Sequence, residues 1–496
     1  MAIREATTSH SGSPNPSLAT DEASPLPRVL GPLALTSLSI GGIIGTGIFI
    51  MTGMAAHEKA GPALIVSFVV AAIACIACAL CYAEFASAVP RAGSAYTYAR
   101  VTLGKGFGWI VGWNLLLQYG LAAASVAQGW SHYFQDFLSG FGVRLPGILG
   151  GPPIDLSQTS GKLAATGSLL DLPAFVIVLL ITLLVVRGLR MSMKVNGAIV
   201  VLKLCVILFV IVVGAFYVHV RNWTPFAPFG WGGLSLFGKP ILGRVGSGGE
   251  PVGALAGAAL VFYAFMGFDA VTAYTLEARR PRRDVPIAII ASIGIATVLY
   301  IAVTAVLTGM VPYDQIQINA PLSSAFRQVG LPWAQRLISL GATAGITSVL
   351  LIILLTYPRI LVAMGQDGML SRSFFAAIHP RFQTPWKGSL LVGIVVSLLA
   401  SLVPLHLLMD LVILGTLFGF VLVASALLAL RRMPLGREAV FRAPGGLLMP
   451  VVSIGSSLIL MCALPLRSWL HLLVWLGAGC LLYAVYGRNR ATSAPT

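Results

Sequence analysis

The sequence SIGGIIGTGIF, residues 39–49, lies inside an apolar stretch long enough to cross a membrane. It contains four glycines within seven positions, namely Gly41, Gly42, Gly45 and Gly47. Each glycine costs about 1 kcal/mol relative to alanine inside a helix, so this stretch favours extended backbone. Close helix packing is the alternative, because Gly41 and Gly45 are small residues four positions apart. Packing by that pair does not require Gly42 and Gly47, so we predict that the helix unwinds here.

The composition indicates a protein embedded in a lipid bilayer. Of its 496 residues, 57% are hydrophobic and only 10% are charged, whereas soluble domains average about 25% charged residues. So few charges exclude a disordered chain, a fibrous protein and an ordinary soluble enzyme. The 32 Lys and Arg residues outnumber the 16 Asp and Glu residues. In a membrane protein this excess reflects basic cytoplasmic loops, so we predict no nucleic-acid partner.

Runs of about 20 apolar residues, the length of a spanning helix, occur twelve times. In chain order, spans 1 to 12 are residues 32–55, 62–88, 107–137, 169–187, 196–217, 252–276, 286–309, 335–362, 388–404, 407–429, 448–465 and 469–486. With the N-terminus inside, 22 of the 32 basic residues fall in inner segments and nine in outer segments. This bias predicts a multi-pass protein of the plasma (inner) membrane with both termini in the cytoplasm.

The spans divide the chain into four predicted regions. Residues 1–28 are rich in Ser, Thr, Pro and Ala and are predicted to be a disordered cytoplasmic tail, with no cleavable signal peptide before span 1. Residues 29–430 are predicted to form a ten-helix core. Residues 431–487 supply a cytoplasmic loop and two peripheral helices, and residues 488–496 form a cytoplasmic C-terminal tail.

A second irregular stretch, FYAFMGFD at residues 262–269, lies in span 6. It contains Gly267, and Asp269 within an apolar span usually faces a bundle interior. Spans 1 and 6 are five apart, as an inverted five-plus-five repeat requires. Unwound backbone within a membrane must line a cavity or meet a ligand. An amino acid fits this requirement, because its carboxylate can bind free N–H groups and its ammonium group can bind free carbonyls.

Several motifs, in the same order, resemble the amino acid–polyamine–organocation (APC) superfamily and, within it, the cationic amino acid transporter family. They are GGIIGTGIF at 41–49, CYAEFASAVPRAGSAYTYA at 81–99, GWNLLLQY at 112–119, SVAQGWSHYF at 125–134, GFDAV at 267–271, RRDVP at 282–286, GITSVLL at 345–351 and PRILVAMGQDGML at 358–370. The resemblance implies an all-α LeuT-type fold. In this fold, ten core helices form a five-plus-five inverted repeat with helices 1 and 6 broken, and two peripheral helices follow.

The same resemblance implies a substrate site at the two breaks. The substrate carboxylate would lie on the backbone N–H groups of Thr46 and Gly47. Its ammonium group would meet backbone carbonyls from both breaks, those of Ile43, Tyr263, Ala264 and Met266. Related proteins often carry Phe at the position of Tyr263, as an aromatic gate over the substrate, and a buried Tyr hydroxyl needs a partner. Residues 90–99 would close the inward path.

Gln118 bears on the choice of substrate. Bacterial relatives often have a glutamate at this position, which could complement a cationic side chain, whereas Gln118 is neutral. Alternatively, Gln118 only packs against span 1. We therefore predict a general site for L-amino acids and favour neutral substrates such as alanine at least as much as arginine.

Lys203 indicates which ion is coupled to transport. It lies nine residues beyond Lys194, about 13 Å into the membrane at 1.5 Å per residue, which is further than a lysine usually reaches back to water. In proton-coupled proteins that the chain resembles, a lysine here replaces a sodium ion between spans 1 and 8. Thr347 and Ser348 match sodium-binding positions of sodium-coupled relatives and are expected beside the Lys203 head group. The alternative is a structural lysine bonded to carbonyls or reaching the cytoplasm.

These observations predict a secondary active transporter that takes up L-amino acids by alternating access, with protons and without sodium. Glu84 and Asp269 are alternative proton carriers, although Glu84 could instead pair with basic residues near the inner end of span 2. An exchanger without proton coupling would share every motif. A sensor that binds without transporting would need an appended signalling domain, for which the short tails have no room.

The sequence predicts no enzyme, catalytic residue, cofactor or metal site. The seven histidines are scattered and form no catalytic or phosphate-binding constellation, and a channel would need a ring of charges or a filter segment. Cys75, Cys78 and Cys81 share one face of span 2 without a His or carboxylate, so we predict a packing face rather than a metal site. A small membrane partner subunit is left open.

Overall fold

Helices dominate the computed structural model, which describes residues 30–89, 94–156, 163–188, 193–236, 239–246, 249–437 and 439–487. Its α-helices are Pro32–Ile43, Thr52–Ala55, Leu64–Ala88, Ser94–Leu103, Lys105–Ser139, Leu172–Val186, Met193–Ala215, Ala254–Val261, Pro281–Met310, Pro321–Gln328, Pro332–Gln366, Arg372–Phe375, Trp386–Leu402, Leu405–Leu430, Pro434–Arg437, Leu448–Met461 and Leu466–Leu482. The predictions for residues 1–28 and 488–496, and for the start of the 90–99 segment, lie outside the described residues.

In the part of the chain that the structure describes, seven helical stretches are long and apolar enough to cross a membrane. They are Gly47–Ala88, Lys105–Ser139, Gly197–Ala215, Pro281–Met310, Pro332–Gln366, Leu405–Leu430 and Leu466–Val485. Five apolar helical stretches of 10–17 residues accompany them, namely Pro32–Ile43, Leu172–Val186, Ala254–Phe265, Trp386–Leu402 and Leu448–Met461. Every predicted span overlaps one of these stretches, and the helical character predicted for the spans is confirmed.

The 42-residue stretch Gly47–Ala88 contains the second half of span 1 and all of span 2. The chain changes direction between them at Gly61, where φ is +59°, a conformation that glycine adopts without steric cost. A Cβ atom at Gly61 would also lie 2.5 Å from Cγ of Pro228, in the segment between spans 5 and 6. Glycine is therefore required at the boundary between the two spans.

The segments predicted to face outside carry small ordered structures. Among the described residues, antiparallel strand pairs join Ile154–Leu156 with Leu163–Ala165, Leu234–Leu236 with Lys239–Leu242, and Arg244–Val245 with Pro251–Val252. The helix Pro321–Gln328 lies in the segment between spans 7 and 8. These elements place short ordered segments over one end of the helical core.

The core packs spans 3 and 8 together and spans 2 and 7 together, with the two halves of spans 1 and 6 between them. Span 12 packs against span 3 at the periphery of the helical core. There, Trp113 Nε1 donates to the carbonyl of Trp475 at 2.8 Å, and Trp475 Nε1 donates to the carbonyl of Trp113 at 3.1 Å. The rings of these two residues stack with centroids 4.6 Å apart. This arrangement leaves the breaks in spans 1 and 6 at the centre of the molecule.

Candidate functional site

Span 1 is interrupted in the middle. Its first helix ends at Ile43, the backbone is extended at Ile44 with φ −77° and ψ 102°, and a π-helical turn covers Gly47–Met51. Gly41 and Gly42 therefore lie in the last turn before the break, and Gly45 lies within it. The first N–H groups of the second half have no acceptor in a preceding helical turn. They carry the partial positive charge of a helix N-terminus.

Span 6 is interrupted at the matching place. The helix Ala254–Val261 tightens into a 3₁₀ turn over Phe262–Phe265, and the backbone is extended at Met266 with ψ 148°. Gly267 follows with φ +100°, a conformation that side chains rarely adopt. A second 3₁₀ stretch covers Phe268–Glu277. Both stretches that the sequence marks as irregular are therefore breaks in the structure.

Glycines allow the two breaks to touch each other. A Cβ atom at Gly267 would lie 2.9 Å from the carbonyl oxygen of Gly42, and a Cβ atom at Gly47 would lie 2.3 Å from Cα of Ala264. A Cβ atom at Gly45 would lie 2.6 Å from Cγ2 of Val349 in span 8. Unwinding and close packing were alternatives at the sequence level, and both occur here.

A cavity opens between the breaks and spans 3 and 8. It is partly open to solvent, and the space that can hold the centres of water-sized molecules is about 50 Å³. Its lining consists of Gly42, Ile43, Gly45, Thr46, Gly47, Gln118, Tyr119, Ala122, Val126, Tyr263, Met266, Gly267, Asp269, Val349, Ile352, Ile353 and Thr356. Every predicted substrate-site residue except Ala264 lines this cavity.

Two lining side chains mark the polar parts of the cavity. The hydroxyl of Thr46 is buried and has no hydrogen-bond partner among the described residues, which is the state expected of a group that awaits a ligand. Asp269 is 5% exposed, and its carboxylate accepts a hydrogen bond from the Tyr119 hydroxyl at 3.3 Å. Asp269 is the one charged residue in the lining described above.

Tyr263 satisfies its hydroxyl inside the core. Its oxygen lies 2.8 Å from the hydroxyl of Ser125 in span 3, so the buried phenol has the partner that it needs. Its side chain is 6% exposed and contributes to the cavity lining. The aromatic ring is therefore held between span 6 and span 3.

Tyr300 in span 7 joins the two breaks, and the sequence analysis missed it. Its hydroxyl lies 2.8 Å from the carbonyl oxygen of Ala264 and 3.2 Å from that of Ile43. A phenol has one proton to donate, so it can fully satisfy only one of these carbonyls at a time. A lone, buried Tyr in an otherwise apolar span was the available signal, because its hydroxyl needs a polar partner.

We expect Tyr300→Phe to weaken amino-acid binding about fivefold, because a neutral hydrogen bond contributes about 1 kcal/mol. The variant keeps the ring, which packs 5.3 Å from the ring of Phe265, but it no longer ties the two carbonyls together. A thermal-stability titration with alanine measures the effect. Thr304→Val is the control, because it removes a buried hydroxyl that bonds only to the backbone of its own helix. Unchanged affinity in Tyr300→Phe would contradict the role of the hydroxyl.

Lys203 reaches the break in span 1. It is fully buried, and its Nζ donates to the carbonyl oxygens of Gly41 at 2.9 Å and Ile44 at 2.8 Å. A Cβ atom at Gly345 of span 8 would lie 3.4 Å from Cβ of Lys203. Lys203 therefore lies between spans 1 and 8. Its ammonium group donates to two carbonyls of span 1 that receive no hydrogen bond from a following helical turn, because the helix is broken there.

Thr347 and Ser348 use their hydroxyls elsewhere. Thr347 donates to the carbonyl of Thr343 and accepts from Trp130 Nε1, both at 2.8 Å, and Ser348 donates to the carbonyl of Gly345 at 2.8 Å. Within the described part of the chain, no hydrogen bond joins either hydroxyl to Lys203. These two hydroxyls are therefore used within span 8 and toward Trp130 of span 3.

Glu84 forms an ion pair with Arg431, the residue that follows the helix of span 10. Arg431 Nε and Nη2 donate to the two carboxylate oxygens of Glu84 at 2.8 Å and 2.5 Å, and the backbone N–H of Ala443 donates at 2.8 Å. Glu84 is 1% exposed. This geometry matches the expectation that Glu84 pairs with a basic residue near the inner end of span 2.

The ends of the two broken spans meet on the side predicted to face the cytoplasm. The backbone N–H of Leu30 donates to the carbonyl of Glu277 at 3.0 Å, and the N–H of Arg279 donates to the carbonyl of Leu30 at 2.8 Å. Nearby, Arg100 forms an ion pair with Asp367 at the end of span 8. These contacts tie the inner ends of spans 1, 6 and 8 to their neighbours.

A charge cluster ties elements together at the opposite end. Glu250 accepts from Lys59 Nζ at 2.8 Å and forms an ion pair with Arg467, which also lies 3.6 Å from Asp410. Burial alone would raise the pKa of Glu250, but Lys59 and Arg467 outweigh this effect and hold the pKa below its ordinary value. Glu250 is therefore a stable anion that links the end of span 1 to span 12.

The three buried thiols of span 2 belong to the packing face that the sequence predicts. Cys75, Cys78 and Cys81 are buried and form no disulfide. Among the residues that the structure describes, no group of three or more His, Cys, Asp or Glu side chains could hold a metal ion.

Comparison with known proteins identifies the family. The family described as amino acid permease matches residues 30–487. The chain belongs to this family. As a member of the APC superfamily with several apolar helices, it is a multi-pass membrane protein. Its relatives are transporters, so it is not an enzyme.

Three relatives show the range of substrates in the family. The chain is 41% identical to the methylthioribose transporter of Bacillus subtilis (strain 168), over 94% of this chain and 95% of that protein. It is also 41% identical to the branched-chain amino acid permease BcaP of the same organism, over 95% and 96% of the two chains. Cationic amino acid transporter 4 of Homo sapiens is 38% identical over 82% of this chain and 60% of its own length. These permeases are named for chemically different substrates.

Proposed function

We propose that this permease is a proton-coupled, sodium-independent transporter that takes up L-amino acids across the plasma membrane by alternating access. The observation that carries this proposal is the cavity between the two helix breaks, together with Lys203 bound to the Gly41 and Ile44 carbonyls of the break in span 1. Unwound backbone of this kind is suited to a zwitterion. The proposal includes the LeuT-type five-plus-five repeat and cytoplasmic termini.

The substrate would bind with its two charged groups on the two breaks. The carboxylate would accept hydrogen bonds from the N–H groups of Thr46 and Gly47 and from the hydroxyl of Thr46, which has no partner among the described residues. The ammonium group, with three protons to donate, would share the carbonyls of Ile43 and Ala264 with the single proton of Tyr300. The carbonyls of Tyr263 and Met266 complete the proposed ammonium site.

Lys203 would carry the coupling proton. Its ammonium group rests on two carbonyls, as a monovalent cation would, and it can lose its proton when the cavity changes its exposure to water. Asp269 lines the same cavity and is the second candidate for a proton carrier. Thr347 and Ser348 would contribute to the shape of the region around Lys203.

Uptake by purified protein in proteoliposomes tests this function. A panel of radiolabelled amino acids is supplied with and without sodium, and with and without an imposed pH gradient. We expect accumulation that depends on the pH gradient and is unchanged when sodium is removed. Counterflow without any response to the pH gradient would instead identify an exchanger, and binding without flux would identify a sensor.

Neutral amino acids are the proposed substrate class, and the substitution Gln118→Glu tests this proposal. Gln118 is 7% exposed and lines the cavity, so a glutamate there would face a bound side chain. We expect Gln118→Glu to strengthen binding of arginine and lysine relative to alanine by more than about tenfold, because a hydrogen bond to a charged group contributes about 1.5–3 kcal/mol.

Thermal-shift titration of the wild type and the variant measures this preference. Gln383→Glu is the control, because Gln383 is exposed in the segment between spans 8 and 9. Stabilisation of the wild type by arginine and lysine alone would overturn the neutral preference without affecting the proposal of transport.

A further inference from the structure

A corner of four arginines connects the broken span 6 to span 7. Arg279, Arg280, Arg282 and Arg283 fall within five positions, and all four are exposed. The nearby Asp284 is 5% exposed, and its carboxylate accepts a hydrogen bond from the backbone N–H of Arg280 at 3.2 Å. The Asp284 carboxylate therefore caps the N-terminus of the span 7 helix and forms no ion pair with the arginine side chains described here.

Two other basic residues on the same predicted side have acidic partners. Arg100 pairs with Asp367, and Arg431 pairs with Glu84. Among the described residues, Arg280, Arg282 and Arg283 form no ion pair. Like charges this close repel one another, so an external anion would stabilise the corner.

An apolar strip begins one turn above these arginines. Ile287, Ile290 and Val298 of the helix Pro281–Met310 are 41%, 39% and 68% exposed. With Gly294 they follow spacings of three and four residues, which places them on one helix face. A Cβ atom at Gly294 would have no atom within 4 Å, so the middle of the strip is open.

The length of this strip fits the tail of a lipid. From Arg283 to Val298 the helix rises about 22 Å at 1.5 Å per residue, whereas one leaflet of the hydrocarbon core is about 15 Å thick. The strip therefore extends through one leaflet from its headgroup boundary. A soluble acidic protein or a nucleic acid would make no use of an apolar face below the charges.

From this geometry we propose that an anionic phospholipid of the inner leaflet binds at this corner. Its headgroup lies on the arginines, and an acyl chain follows the strip of Ile287, Ile290 and Val298. Because the backbone N–H of Arg279 donates to the carbonyl of Leu30 here, the bound lipid also stabilises the contact between the inner ends of spans 1 and 6. The proposal requires the cytoplasmic placement of the corner but not proton coupling or the choice of amino acid.

Lipid titration followed by native mass spectrometry tests the site. The probes are phosphatidylglycerol and phosphatidylcholine, and the variant is Arg282→Gln/Arg283→Gln. We expect the wild type to prefer phosphatidylglycerol and the variant to bind it roughly 30-fold more weakly, since each basic residue near an anionic surface contributes a factor of about five. Arg282→Lys/Arg283→Lys should retain the preference.

The matched control is Arg372→Gln/Arg381→Gln, which removes two exposed arginines from another inner segment. An equal loss in this control, or equal binding of phosphatidylcholine by the wild type, would overturn the proposal. Inorganic phosphate at millimolar concentration should not displace the lipid, and full displacement would overturn the choice of a lipid.

Hydrogen exchange tests the effect on the inner contact without requiring transport. Phosphatidylglycerol should slow exchange of the amides of Leu30 and Arg279, which donate the two backbone hydrogen bonds between the segments. The slowing should be absent in Arg282→Gln/Arg283→Gln and present in the control variant. Exchange that does not respond to the lipid in the wild type would overturn the proposed stabilisation.

Discussion

Lys203→Ala is expected to abolish accumulation of amino acid in proteoliposomes with an imposed pH gradient. The substitution removes the donor to the carbonyls of Gly41 and Ile44, at 2.9 Å and 2.8 Å. Each hydrogen bond from a charged group contributes about 1.5–3 kcal/mol, and the break in span 1 loses both. Without a group that can exchange a proton between spans 1 and 8, the pH gradient cannot drive uptake.

The control for this prediction is Cys205→Ala, because Cys205 lies two residues further along the same helix and is exposed at its surface. We expect it to accumulate substrate like the wild type. Accumulation by Lys203→Ala at the wild-type level would remove Lys203 from the mechanism.

A second measurement separates coupling from structural support. If Lys203 serves coupling, Lys203→Ala should still exchange amino acid across the membrane when no gradient is imposed, although the loss of two hydrogen bonds lowers its melting temperature in detergent. A folded variant that loses exchange as well as accumulation would show that Lys203 is a structural lysine. Wild-type uptake that ignores the pH gradient would point to an exchanger in which Lys203 stabilises the break.

The breaks were predictable because their signals are local. Four glycines in seven residues oppose a helix whatever surrounds them, and Asp269 inside an apolar run requires a polar neighbourhood. The lining residues Thr46, Gly47 and Gln118 came instead from the resemblance to the APC superfamily, because no local pattern singles them out. The exact end of the first helix, at Ile43, depends on contacts with Lys203 and Tyr300 and was not predictable.

The contacts missed from the sequence join residues far apart in the chain. The hydroxyl of Tyr300 bonds to a carbonyl 257 positions away, at Ile43, and Leu30 pairs with the segment around Ala278. No local pattern encodes such pairs, since they follow from how the spans pack. A single chain also reveals little about the outer strand pairs, whose segments are too short to show a clear alternation.

Gly47→Ala is expected to eliminate substrate binding and uptake while leaving the peripheral helices intact. A Cβ atom at this position would lie 2.3 Å from Cα and 2.6 Å from Cβ of Ala264. Both are far below contact distance, and one of them belongs to backbone. Because rigid segments meet here, the two breaks must separate, and overpacking of this kind costs about 1–3 kcal/mol or more.

The loss should concern the site more than the fold. Separation of Gly47 from Ala264 moves the N–H groups of span 1 relative to the carbonyls of span 6, so one amino acid can no longer bridge them. Binding by thermal shift and uptake in proteoliposomes should both disappear, with a smaller decrease in melting temperature.

Gly455→Ala is the matched control, because a Cβ atom at Gly455 in the helix Leu448–Met461 would have no atom within 4 Å. The same substitution there should leave binding and uptake unchanged. If Gly47→Ala behaved like this control, the two breaks would not need to touch, and a substrate held by both of them at once would be ruled out.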